Sequence, residues 1–226
     1  MMRAVQAALA AGLLLISPAV TPTAHAADLC AAFDGAIGAD GLCHVQQSKP
    51  NYTLNMSFPV DFPDQGPVDD FLTQTRTGFL NETDTPNFAN VPYEMDTTAT
   101  LWSSETTKSV SFETYQNLGG AHPDTWFKAF NYDIARNRPI TFADLFAPGT
   151  DPLSAIFPIV SDKLSTEMGV PAPILDGEGM DASYYQSFAI TPTDLVFFFD
   201  RGGLMPGVAG AHTVYVPRNA IPSLLV

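Results

Sequence analysis

Between Tyr52 and Phe58 apolar residues alternate with polar ones, Tyr52, Leu54, Met56 and Phe58 against Thr53, Asn55 and Ser57, and from Pro67 the period changes. A period of two turns every second side chain to one face of a strand, so one face is buried and the other is wet. Val68, Phe71, Leu72, Thr75, Phe79 and Leu80 instead fall at helical spacing. Pro67 suits a first helical position, and Asp69 and Asp70 suit the positive end of the helix dipole. The two periods predict a strand over 52–58 and a helix over 67–80.

Both periods recur further on. The runs Tyr93 to Trp102 and Lys108 to Leu118 predict an antiparallel hairpin behind a polar loop over 81–90, and Asp124 to Ile134 adds a third strand. Asp151-Pro152 opens a second helix carrying the stripe Leu153, Ile156, Phe157, Val160, Leu164 and Met168, which Gly169 and Pro171 stop. Tyr185 to Thr191 and Asp194 to Asp200 predict strands around Pro192, and His212 to Pro217 a last one. There is no βαβ alternation of the kind that builds a parallel doubly wound sheet. The expected class is α+β, with mostly antiparallel sheets each packed by an amphipathic helix. The expected units are an arm over 27–50 and two halves over 51–118 and 119–226.

The first 26 residues predict a cleaved secretory signal, with Arg3 at its start, an apolar run from Ala7 to Ile16 and the small-residue pattern Ala24-His25-Ala26. That run of about ten residues is short of the roughly 20 that a membrane span needs, so no transmembrane anchor is expected. In an oxidising compartment Cys30 and Cys43 are most simply one disulfide, tying down an arm that contains Gly35, Gly38 and Gly41. A catalytic thiol pair is the rival, although the spacing is far from C-x-x-C. The chain carries 24 acids against 10 Lys and Arg, a formal net charge of −14. Nucleic acid and anionic membrane surfaces are poor partners for it, whereas a basic protein is a good one.

Catalytic patterns are sparse. Neither Gly-x-Ser-x-Gly nor Ser-x-x-Lys occurs, so an esterase would need a Ser-His-Asp set assembled from distant positions. His122 beside Asp124, or else His212, would be the base, with a serine such as Ser187. The competing reading of His122 is a ring bonded to backbone that stabilises the Gly119-Gly120 turn. His122 and Asp124 form the only local pair of metal-ligand type, and neither a metal nor a cofactor is expected. The binding candidates are Tyr115, Gly119, Gly120, His122 and Trp126 around that turn, and Leu204 and Met205 in the Gly-rich segment Arg201 to Gly210. Strand aromatics are also ordinary core residues, and the Gly-rich segment could equally pack down on a sheet.

Several longer stretches carry a resemblance: FPVDFPDQ from Phe58, YQNLGGAHP from Tyr115, KAFNYD from Lys128, PITFADLF from Pro139, DPLSAIFPIV from Asp151, YYQSFAIT from Tyr184 and VPRNAI from Val216. With the paired early cysteines they make the chain similar to the mycobacterial secreted immunogenic protein family, whose C-terminal region resembles the extracellular domain of RsiV-type anti-sigma factors. The resemblance implies an exported antigen with an α+β fold, secreted or cell-wall associated, close to a subfamily often labelled esterases. RsiV-type receptors bind lysozyme, a basic protein, through this domain; they also carry a sigma-binding segment and a membrane span that are not expected here. The expected function is a binding domain for a protein such as lysozyme or for an envelope ligand, with a short-chain carboxylesterase as the alternative.

Overall fold

Residues 24–84, 92–174 and 177–226 are described by the computed structural model. The charged start and apolar run of the expected leader lie outside the described residues, as does part of the expected 81–90 loop. Helix α1 (Ala24–Ala32) precedes strands β1 (Ala36–Ile37), β2 (Leu42–Lys49) and β3 (Tyr52–Pro59). A disulfide joins Cys30 on α1 to Cys43 on β2, with 5.8 Å between their Cα atoms. The expected arm is therefore partly sheet. Gly35 makes that possible: a Cβ there would stand 2.7 Å from the Cys43 sulfur.

From β3 the chain crosses through α2 (Gln65–Thr83) to β4 (Tyr93–Ser103), which pairs with β3 in parallel. This is one βαβ crossover, where periodicity gave no sign of parallel pairing. The helix begins two residues earlier than Pro67 because the Gln65 side chain serves the backbone of the connection. Its Oε1 accepts from the Phe62 N–H at 2.8 Å, and its Nε2 donates to the Pro59 carbonyl at 3.0 Å. Strands β5 (Thr107–Asn117), β6 (Asp124–Asp133) and β7 (Arg138–Pro139) follow by antiparallel pairing. They complete a seven-stranded sheet in the order β1 to β7. The expected division at residue 118 falls between β5 and β6, two neighbours in that sheet.

Helix α3 (Leu153–Met168) ends at Gly169, whose φ of 69° is the left-handed cap that glycine favours. Strands β8 (Phe188–Ile190), β9 (Asp194–Phe199) and β10 (His212–Pro217) form a second, antiparallel sheet in the order β10-β9-β8. The strand expected from Tyr185 starts only at Phe188. Ala182–Tyr185 is a 3₁₀ turn, capped by Asp181 accepting from the Ser183 N–H, and the buried Tyr185 hydroxyl donates to the Gly179 carbonyl at 2.8 Å.

The elements stack as helix, sheet, sheet, helix. Val68, Leu72 and Phe79 of α2 pack against Leu54, Met56, Met95 and Phe112 on one face of the large sheet. Ile156, Val160 and Leu164 of α3 pack against Leu195, Phe197 and Phe199 of β9. Between the sheets, Val196 and Phe198 meet Phe127 and Trp102. Strand β9 is therefore buried on both faces, which is why its apolar run is continuous.

Polar ties close the joint. Arg201 N–H donates to the Thr125 carbonyl at 2.9 Å, Phe127 N–H to Asp200 Oδ1 at 2.7 Å, and Asn131 Nδ2 to the Phe188 carbonyl at 2.8 Å. The first two occupy backbone groups on the outer edge of β6, which would otherwise be an open template for another strand, and the third ties its Asn131 side chain to β8.

Candidate functional site

The residues nominated from sequence do not form one cluster. His122 is exposed after Gly119, whose φ is 71°, and its ring makes no hydrogen bond among the described residues. The turn is held by Gly119 N–H donating to Asn117 Oδ1 at 3.0 Å, not by the imidazole. Asp124 accepts from the Thr125 N–H rather than from His122. Ser187 donates to the Phe127 carbonyl at 3.3 Å. Tyr115 and Trp126 are half-buried on β5 and β6, and Gly120 has open space around it.

Leu204 and Met205 are 1% and 4% exposed, inside the core beside α3. The Gly-rich segment is thus no exposed apolar surface: burying these two side chains removes apolar area from water, and only Val208, 93% exposed, stands out. His212 anchors the same segment. Its Nε2 lies 2.8 Å from the Ala209 carbonyl and its Nδ1 3.3 Å from Glu167 Oε1, so both ring nitrogens are committed. Among the described residues no histidine ring bonds to a serine hydroxyl, and no three His, Cys, Asp or Glu side chains are grouped to hold a metal.

Sequence reasoning passed over His44. Its Nε2 meets Asp40 Oδ2 at 2.9 Å, and Ser57 lies directly opposite it in the β2–β3 register. The Leu42 N–H, followed by the His44 ring, holds the Asp40 carboxyl below its ordinary range despite some burial. The signal was present as an acid four residues before a histidine, across a Gly41 turn at φ 79°.

This pair borders an uncovered face. The second sheet shields the β5–β6 side of the large sheet and leaves β2, β3, β4 and part of β5 open. Register lines up Gln46, Asn55, Asp96 and Tyr115 across those four strands. Glu94, Asp96 and Glu113 are exposed on it, and a hollow of about 320 Å³ lies among His44, Asn55, Ser57, Asp96 and Thr98. Lys49 and Lys108 belong to the opposite alternation of β2 and β5, so no cation of these strands offsets the acids.

The β3–α2 connection bridges two further cavities that share Phe62. One, of about 270 Å³, is bordered by Asp61, Leu101, Trp102 and Lys108. The other, of about 330 Å³, lies at the outer edge of β6. Phe62 and Asp64, Lys128 to Asn131, Pro139 to Thr141, and Gln186 with Phe188 line it. Those residues come from four of the stretches that carry the resemblance described above, brought together only by folding.

With a fold of this kind and these surfaces, the chain is 46% identical over 209 residues to Esterase Rv3036c of Mycobacterium tuberculosis, covering 91% of this chain and 92% of that protein. It is 40% identical over 187 residues to Immunogenic protein MPB64 of Mycobacterium bovis, covering 81% and 82%. The chain belongs to this mycobacterial family. Residues 143–219 match the family described as Protein of unknown function (DUF3298). A crystal structure of a DUF3298 family protein from Pseudomonas aeruginosa PAO1 shares the fold, with a TM-score of 0.53 at 15% identity over 80% of this chain and 91% of that one. No helix among the described residues is long and apolar enough to cross a membrane.

Proposed function

We propose that this protein is an extracellular binding domain, secreted or held at the cell wall, whose open sheet face docks a basic protein. The observation that carries the reading is the uncompensated acidity of Glu94, Asp96 and Glu113 on a polar face that the second sheet leaves bare. Such a face steers a cationic partner and strengthens as salt is lowered. The disulfide suits an oxidising compartment. Lysozyme is the first probe. Titration at low salt should give saturable binding that weakens as salt is raised, and the triple variant Glu94→Gln, Asp96→Asn, Glu113→Gln should lose about tenfold or more. An unchanged affinity in the triple variant would move the docking surface elsewhere, and absence of binding at low salt would end the reading for this probe.

A second reading, a short-chain carboxylesterase, is favoured by the name of the 46% identical relative. His44, paired with Asp40 and facing Ser57, is the candidate base that the fold supports with an acid, and His122, exposed and without a bond to Asp124, is a second. Hydrolysis of short-chain p-nitrophenyl esters by the wild type and by His122→Ala, His212→Ala and His44→Ala separates them. Activity lost in one folded variant identifies the base; activity absent, or equal in all, removes the reading.

A further inference from the structure

The cavity at the outer edge of β6 has a particular polar inventory. Phe127 gives both its N–H and its carbonyl outward, to Asp200 and Ser187, and the Asn131 carbonyl accepts from the Ile140 N–H at 2.9 Å. Strand alternation turns the N–H and carbonyl of Ala129, between them, the same way, and no described residue outside the strand meets either. One donor and one acceptor of the backbone therefore face the cavity.

Asn131 adds a second demand. It is 5% exposed, and its Nδ2 is spent on Phe188, which fixes the orientation of its amide. Its Oδ1 is buried with no hydrogen-bond partner. A buried acceptor left unmatched costs about 1–3 kcal/mol, so this atom calls for a donor. Lys128, exposed at the rim, lies over the Phe130 ring and makes no ion pair among the described residues. Phe62 and Phe188 supply apolar wall.

We propose that this cavity binds an N-acylated sugar acid. The acyl carbonyl accepts from the Ala129 N–H, one sugar hydroxyl donates to the Ala129 carbonyl and another to Asn131 Oδ1, a carboxylate meets Lys128, and the acyl methyl and ring C–H groups lie against Phe62 and Phe188. A compact ligand is favoured over an extended peptide because only Ala129 is free on this edge: its neighbours at 127 and 131 are already bonded, so a strand could not continue. The volume of about 330 Å³ sits at the small end of ligand sites, which run from about 300 to 1,000 Å³. The site lies away from the open acidic face, and either can fail without the other.

The test uses N-acetylmuramic acid as probe, followed by ¹⁵N chemical shifts of the folded protein. The Ala129 amide should move on titration. Lys128→Met, a change at an exposed position, should weaken the acid by about tenfold or more while leaving N-acetylglucosamine unaffected. Muramic acid, which lacks the acyl amide, should bind more weakly than its acetylated form. A stationary Ala129 amide, equal binding of muramic acid, or equal affinity in Lys128→Met would each overturn the proposal. Tighter binding of an N-acetylated dipeptide would replace it with a peptide site.

Discussion

The Asp200 carboxylate accepts the Phe127 backbone N–H at 2.7 Å, so a residue just past β9 closes the edge of β6. Burial of this carboxyl raises its pKa; the Phe127 N–H opposes that, and the nearby Asp124 charge adds to it, leaving a net rise. The bond needs an oxygen, not a charge.

Asp200→Asn should therefore be slightly stabilising at neutral pH, since an amide oxygen can still accept from Phe127 while repulsion from Asp124 disappears. A raised folded pKa favours the protonated form, so the native state is penalised once pH rises through it and is not penalised below the ordinary carboxylate value of about 3.9. Thermal melts should show the variant ahead at neutral pH, with the gap closing in acid. The carboxyl is only partly withdrawn from water and the residue as a whole keeps solvent contact, so the gap is small. A variant that melts below wild type at neutral pH would show that the charge itself holds the edge.

Asp133 behaves in the opposite sense. Its side chain is fully buried at the end of β6, accepting from the Arg136 backbone N–H at 2.8 Å and from Nη1 at 2.7 Å. Burial pushes its pKa up, but the Arg136 side-chain and backbone hydrogen bonds and the guanidinium charge outweigh that and hold it below the ordinary range. The stabilisation is present above the unfolded value near about 3.9 and is lost as pH falls through the lower folded one. Arg136→Met should cost about 1–3 kcal/mol by urea unfolding, towards the lower figure because the arginine is half-exposed. The difference from wild type should narrow between about pH 5 and about pH 2. A pH-independent difference would mean that Arg136 acts by packing alone.

Strands β3, β4, β5, β9 and β10 are legible because each has a clean period or a continuous apolar run between turn residues, and β6 because its aromatics lie between two turns. Strand β2 is not: only Cys43 and Val45 are buried on it, and Gln46, Ser48 and Lys49 lie in water beside a glycine-rich stretch that looks like a frayed arm. Parallel pairing of β3 with β4 depends on where a crossover lands, which no local pattern encodes. Leu204 and Met205 are surrounded by glycine and proline, and their burial is decided by α3, far away in sequence. The β6 cavity is invisible before folding because Phe62, Lys128, Ile140 and Gln186 share it only in three dimensions. The resemblance named the stretches involved without showing that they converge.

Reduction offers a check on the N-terminal strands. Cys30 and Cys43 are 13 residues apart and almost fully buried, so the bond links α1 to the second strand from the sheet edge. A loop of that size contributes about 3 kcal/mol against the unfolded chain, equivalent to roughly 6–12 °C for a protein of this length. Cys30→Ala with Cys43→Ala should lower the melting temperature by that order and leave the second sheet folded. An unchanged melting temperature would mean that β1 and β2 unfold before the transition that is measured.

Gly179 tests the other end of the molecule. A Cβ placed there would run into the ring of Phe157 on α3, and the same residue's carbonyl receives the buried Tyr185 hydroxyl. Gly179→Ala should therefore cost about 1–3 kcal/mol, the ordinary penalty of overpacking, because Phe157 must move before the loop can keep its bond to Tyr185. The half-exposed Phe157 has some room to yield, which places the expected cost towards the lower figure. In a Phe157→Ala background the clash is gone, so the same substitution should become nearly neutral, and the coupling between the two sites should be close to the whole single-site effect. An additive pair in that cycle would show that Gly179 is needed for its backbone freedom and not for the space beside α3.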